Sequence, residues 1–232
     1  DITDDEKTII EKYLSDGGKV YLILGDTTSD TPNLDGIMSD YGLKKVSGYI
    51  ADTQRCYQGN YYAIFPQLSL SGDLGSGISN QMVLLLNSPG MEKTDTDNDN
   101  LTVTPFMQTS DSGYAVTEND QTQGQYILGA VSTNAISADS SDSDSEDEDD
   151  KSDATDTDTK TARLTVLASA SMISSDITDQ LTTLDNLTLF VNSVTESLRQ
   201  MIDDGLAYRR DYHENPPKVE YGLTDLGTEM LP

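Results

Sequence analysis

Residues 4–26 read DDEKTIIEKYLSDGGKVYLILGD, and this stretch sets the expected fold. Ile9, Ile10, Tyr13 and Leu14 recur at helical spacing, and Asp4, Asp5 and Glu6 precede them, where the positive end of a helix dipole favours carboxylates. Gly17 and Gly18 stop that helix. The run Val20–Leu24 that follows is almost unbroken in its apolarity, the pattern of a strand buried on both faces of a parallel sheet. A helix followed by such a strand is one step of a doubly wound α/β fold.

The pattern repeats further along the chain. Pro32 opens a second helix that Gly42 stops, and KKVSGYIAD (44–52) reads as the next strand. Residues 62–65 and 82–86 are short apolar segments of either type, whereas LTVTPFMQTS (101–110) and GYAVTE (113–118) read as extended. GQYILGAVST (124–133) and ARLTVLASAS (162–171) are clear strands, and the second leads into a helical DNLTLFVNSV (185–194). Between those strands, residues 138–160 lack every residue type that builds a core. They read as a disordered acidic loop at a hairpin tip, whose aspartates would attract Ca²⁺ only weakly.

Asp and Glu total 41 against 14 Lys and Arg, a net charge of −27. Phosphate contacts need cations, so this balance argues against nucleic acid as a partner of the main domain. Cys56 is the sole cysteine and His213 the sole histidine, which excludes an internal disulfide, a multi-His zinc site and an ordinary Ser-His-Asp triad. DTDNDN (95–100) starts like a calcium loop but has Asn100 where the sharp turn needs Gly and Phe106 where the bidentate Glu belongs. No apolar run approaches the roughly 20 residues that span a bilayer.

In an α/β sheet, ligands gather beyond the carboxyl ends of strands, which points to GDTTSD (25–30) and ASASMISSD (168–176). Asp26, Ser169 and Ser171 are therefore the candidate ligand-binding residues. Ser169 and Ser171 stand at a strand-to-helix turn without a G-x-S-x-G frame or a histidine base, so a capping role is expected rather than catalysis. No catalytic residue, cofactor or metal ligand is expected. Asn100 and Asn186 each begin an Asn-Leu-Thr glycosylation sequon.

Gly17-Gly18, Val20–Leu24, Pro32-Asn33-Leu34, Tyr41-Gly42 and Ile50-Ala51-Asp52 occur in an order that resembles the ectodomains of GldG-like auxiliary proteins of ABC transport systems. QYILGAVST, ARLTVLASASMIS and NLTLFVNSV extend the resemblance to about residue 194, departing from it at Ala168, Ser169 and Ala170, where that family tends to carry Gly, Asp and Ser. The resemblance implies a layered α/β domain over 1–194 with a largely parallel sheet, glutamine-amidotransferase-like or flavodoxin-like. It further implies a non-enzymatic interaction or ligand-sensing role and ABC-transporter subunits as membrane partners. The location implied is the extracytoplasmic face of the cell membrane, with the anchor outside this chain.

The tail, 195–232, has a different character. Leu198-Arg199, Asp204-Gly205-Leu206, Arg209, Pro216-Pro217, Val219-Glu220-Tyr221, Leu223-Thr224 and Gly227 resemble the end of HxlR-type winged-helix regulators. That resemblance implies a wing, with a DNA-binding regulator as the alternative function; in an intact module Arg209, Arg210 and Lys218 would touch phosphate, whereas alone beside a body of this charge they should bind DNA poorly. A carbohydrate- or nucleotide-binding module at the strand ends is a third reading. The helices that should precede a wing are not evident, so no complete helix-turn-helix is expected, and the tail reads as a graft joined near Val194 and Thr195.

Overall fold

The computed structural model of the chain describes residues 1–25, 30–136, 160–213 and 218–229. Helix α1 (Asp4–Ser15) begins with a capping box in which Thr3 accepts from the Glu6 amide and the Glu6 carboxylate reaches back to Thr3. It ends where the Gly17 and Gly18 amides donate back to Leu14 and Tyr13, with Gly17 at φ +95°, the left-handed turn that the glycine pair announces. Strand β1 (Lys19–Ile23), helix α2 (Pro32–Asp40), β2 (Leu43–Lys45), β3 (Tyr49–Asp52), β4 (Cys56–Tyr57), β5 (Asn60–Ile64) and β6 (Gln67–Leu68) follow. After a short 3₁₀ turn (Gly72–Gly75) come β7 (Leu85–Leu86), β8 (Met91–Lys93), β9 (Leu101–Gln108), β10 (Gly113–Val116) and β11 (Gln121–Gln123). The long strands β12 (Ile127–Ile136) and β13 (Lys160–Leu167) lead to α3 (Ser175–Thr178), α4 (Asn186–Asp203), β14 (Ala207–Asp211), β15 (Val219–Leu223) and α5 (Asp225–Glu229).

The main sheet runs β1-β13-β12, and β12 then pairs with β9 and, at Ile127, with β8. β8 continues to β2, and β6 joins the far side of β9. Among the described residues only the β1–β13 pairing is parallel, in register from Lys19 opposite Arg163 to Ile23 opposite Leu167. The expectation of a largely parallel sheet is thus corrected to a mixed α/β fold whose main sheet is mostly antiparallel. Apolar runs were the signal, and they report burial on both faces, not strand direction. In β13 residues 162–167 are all buried in succession, which requires cover on both faces whichever way the neighbours run.

β12 and β13 are antiparallel neighbours, with Ile136 opposite Lys160, so the chain segment between them connects the two arms of a hairpin. Lys160, the last residue of the expected acidic loop, opens β13, and residues 138–159 lie outside the described residues, as does any Ca²⁺ association there. The expected strand over 44–52 is two strands in two sheets: β2 belongs to the main sheet and β3 to the small sheet β11-β10-β3. Gly48, at φ +83°, makes the switch, and a Cβ there would lie 2.0 Å from the Val116 carbonyl oxygen. A second small sheet, β4-β5-β7, packs around Ala63, Leu84 and Ile177.

Two buried carboxylates tie the loops to this frame. Asp52, fully buried, accepts from the amides of Gln54, Arg55 and Ser110 and from the Ser110 hydroxyl. Asp185 accepts from the amides of Ser79, Asn80 and Met82 and from the Ser79 hydroxyl. Burial pushes both carboxyls up, but these hydrogen bonds outweigh it and hold both below their ordinary value of 3.8.

The unfolded chain therefore takes up protons at these groups more readily than the folded one. Their contribution to stability is complete above the ordinary carboxylate range and is lost as pH falls through the depressed folded values. Urea denaturation from pH 7 down to pH 2 should show the midpoint falling at the acid end, and Asp52→Asn should flatten that fall. At neutral pH, Asp52→Ala should lower stability by about 3 kcal/mol, because four donors lose a charged acceptor.

Candidate nucleic-acid interface

Helix α4 joins the body to the C-terminal hairpin and runs without interruption through Val194 and Thr195. At its start the buried Asn186 side chain accepts from the Leu84 amide and donates to the Leu84 and Met172 carbonyls. This sequon asparagine is a structural clamp with its amide nitrogen fully engaged. Leu189, Ser193 and Ser197 then form the buried stripe of the helix. Tyr21 on β1 meets that stripe: its hydroxyl lies 2.6 Å from the Ser193 hydroxyl and its ring packs edge-on against Phe190. Burial pushes the Tyr21 phenol up to about 12, so it stays a neutral hydrogen-bonding group.

The end of α4 is fastened as firmly as its start. Lys19 on β1 is buried, its ammonium donates to the Gly17 and Thr161 carbonyls, and it lies 2.5 Å from the Asp204 carboxylate. Gly205, at φ +71°, ends the helix as Gly17 ends α1: the amides of Gly205 and Leu206 donate to Ile202 and Met201. Leu206 is buried and its carbonyl accepts from the Thr224 amide, while the Thr224 hydroxyl donates to Gly205 and accepts from the Gly227 amide. A Cβ on Gly227 would stand 1.9 Å from the Leu206 carbonyl oxygen. The Asp-Gly-Leu and Leu-Thr-x-x-Gly patterns thus form one knot that sets β14, β15 and α5 against the end of α4.

β14 and β15 make an antiparallel ribbon with Arg209 opposite Tyr221 and Arg210 opposite Glu220. Arg209, Arg210 and Lys218 are all exposed on it. Alternation puts Arg210 and Lys218 on one face with Tyr208 and Tyr212, and Arg209 on the other. Arg210 lies 5.8 Å from the centre of the Tyr208 ring and the Lys218 ammonium 4.3 Å from that of Tyr212, so cations and aromatics interleave along that face. Glu220 sits among them: Tyr212 donates to it at 2.5 Å and Lys218 at 3.0 Å, and these bonds hold its carboxyl below the ordinary range. Arg209 pairs with Asp211, and Arg199 on α4 is bridged to Asp73. His213, whose side chain is 88% exposed, adjoins Asp211 at the tip of β14.

The strand-end candidates have a different fate. Ser169 is buried, and its hydroxyl accepts from the Ser171 amide and lies 2.7 Å from the Ser171 hydroxyl, which in turn accepts from the Leu86 amide. The pair caps a 3₁₀ turn and ties it to β7. Asp26 lies outside the described residues. Cys56 is a half-buried free thiol, and among the described residues no cluster of three His, Cys, Asp or Glu is placed to hold a metal ion.

Sequence reasoning passed over Arg163 and Lys19, both buried cations in strands, and Glu196, which lies 3.9 Å from Arg163. A charge inside an apolar run, as in ARLTVLASAS, was the available signal, since a buried charge is kept only where it has a partner or a task.

Residues 163–232 match the family model of the HxlR-like helix-turn-helix. The "Uncharacterized HTH-type transcriptional regulator YybR" of Bacillus subtilis is 46% identical over 39 residues, 17% of this chain and 31% of that protein. The "Uncharacterized HTH-type transcriptional regulator BH0655" of Halalkalibacterium halodurans is 40% identical over 45 residues, 19% of this chain and 40% of that protein. The chain thus spans less than half the length of these relatives. Among solved structures, the "mmIFT52 N-terminal domain" superposes with a TM-score of 0.52 at 14% identity, over 84% of this chain and 72% of that one, a likeness of fold alone.

The helix-turn-helix match corrects the expected partners and location. Regulators of transcription point to DNA, which overturns both the exclusion of nucleic acid and the ABC-transporter subunits as partners. It equally overturns placement on the extracytoplasmic face of the membrane. The match also begins at Arg163, well upstream of the tail, so that it takes in most of β13, α3 and the whole of α4. The GldG-like resemblance gains no support from these matches.

Gly227→Ala should loosen the knot, because the obstructing atom is backbone and has nowhere to go; overpacking of this kind costs about 1–3 kcal/mol. Hydrogen exchange should show faster exchange of the β14 and β15 amides, with β12 and β13 unchanged.

Proposed function

We propose that the chain is a non-enzymatic, DNA-binding regulator in which the unit from α4 to α5 meets the duplex and the α/β body carries it. The family match of residues 163–232, coinciding with an exposed ribbon that bears Arg209, Arg210 and Lys218, is the observation that carries this reading. In it α4 stands for the helix that leads into the wing and β14–β15 for the wing itself. The Ser169 and Ser171 hydroxyls serve a cap and a strand, which fits a role without catalysis. The domain organisation proposed is a body up to about residue 194 and a tail from 195, with α4 shared between them.

A chain of charge −27 repels the DNA backbone, so binding depends on local cations and weakens steeply with salt. Fluorescence anisotropy with duplex DNA at low and moderate salt should detect binding by the full chain. Each ribbon cation that meets a phosphate adds about one to the slope of log affinity against log salt, so replacing Arg209, Arg210 and Lys218 together with Ala should reduce that slope by about 2–3. Glu220→Gln, which removes a negative charge from between Arg210 and Lys218, should tighten binding. Equal affinity and equal salt dependence for the wild-type chain and the triple variant would overturn the reading.

A further inference from the structure

A cavity of about 400 Å³ lies between the 3₁₀ turn at 72–75, one face of the main sheet and α4, bounded by Ser71, Asp73, Thr104, Thr133, Arg163 and Glu196 among others. Its size falls within the roughly 300–1,000 Å³ of small-molecule sites. Arg163 distinguishes it from the other clefts of the surface. The residue is 7% exposed, yet of its five donors only Nε finds an acceptor among the described residues, the Thr165 hydroxyl at 3.3 Å. Glu196 stands 3.9 Å from Nη1, beyond hydrogen-bond reach, and is itself held by a 3.2 Å bond from Gln200. Burial lowers the guanidinium pKa, with the Glu196 charge opposing.

A planar fork with unused donors at the wall of a cavity fits a carboxylate in bidentate fashion. The other groups narrow the class. Glu196 adds negative charge to the wall, Asp73 being paired with Arg199, and the chain as a whole is strongly acidic, so a dianion such as phosphate is disfavoured. A monocarboxylate bearing a donor meets both needs, because the donor can occupy Glu196 while the hydroxyls of Ser71, Thr104 and Thr133 offer further polar contacts. We propose that this cavity binds a small monocarboxylic acid that carries an amino or hydroxyl donor, an α-amino acid being the simplest, with its carboxylate on Arg163 and its donor on Glu196.

The site does not depend on the DNA-binding reading, although α4 forms one wall of it and also carries the ribbon. Isothermal titration calorimetry on the full chain, with each of the common L-amino acids in turn and with acetate and inorganic phosphate alongside, tests it without DNA. At least one amino acid should bind saturably, and acetate, which lacks the donor, should bind at least tenfold more weakly. Arg163→Met should abolish the binding. If that variant fails to fold by near-ultraviolet circular dichroism, Thr133→Leu, which fills the cavity and leaves Arg163 in place, should weaken binding at least tenfold. The proposal is overturned if no amino acid binds at millimolar concentration, if acetate or phosphate binds as tightly as the best amino acid, or if Thr133→Leu binds as well as the wild type. Because no duplex is present, that failure is separable from any failure of DNA binding.

Discussion

The ammonium of Lys19 holds together parts of the chain that sequence separates widely. A buried amine must be surrounded by acceptors, and here these are the Gly17 carbonyl at the end of α1, the Thr161 carbonyl in β13 and the Asp204 carboxylate at the end of α4. One charged group thereby fixes the start of β1, its parallel alignment with β13, and the point where the helix hands over to the C-terminal ribbon. Removing Asp204 would leave the ammonium to two carbonyls. Because Asp204 is partly exposed, the ion pair is worth less in free energy than in geometry: it decides where α4 ends.

The same helix ties the body to the tail across residue 194. Its first half is anchored by Asn186 and Asp185 to the segment 79–86, and its middle by Ser193 and Ser197 to Tyr21 and Thr165. Its last turn belongs to the knot of Gly205, Thr224 and Gly227. The helix-turn-helix likeness, which starts on β13, and the body therefore overlap on shared elements. In such an arrangement the polar stripe of Ser193 and Ser197 matters, since small hydroxyl side chains let the helix approach the sheet closely while keeping each donor satisfied.

Local features of the chain were legible, and long-range pairing was not. α1, β1, α2, β12 and β13 follow from helical spacing, apolar runs and glycine stops, and Gly17, Gly205 and Gly227 stand where backbone geometry demands glycine. Strand direction was misread because burial on both faces leaves the same imprint in parallel and antiparallel sheets. The break at Gly48 was invisible because the residues on either side both favour strands, and only the contact with Val116 shows that they belong to different sheets. The charge of −27 led away from nucleic acid because it averages over a chain whose cations and carboxylates are unevenly placed. Arg209, Arg210 and Lys218 were named from pattern, but their interleaving with Tyr208 and Tyr212 needed the ribbon register. Arg163 and Glu196, separated by a turn and a helix, become neighbours only through the packing of α4 on β13.

α4 is stiff, and that has a mechanical meaning. At about 1.5 Å of rise per residue, Asp204 lies about 12 Å beyond Glu196 along the helix axis. With Ser193 held to Tyr21 and Asp204 to Lys19, the helix acts as a strut with two moorings on β1, and the ribbon beyond it inherits its direction from that strand.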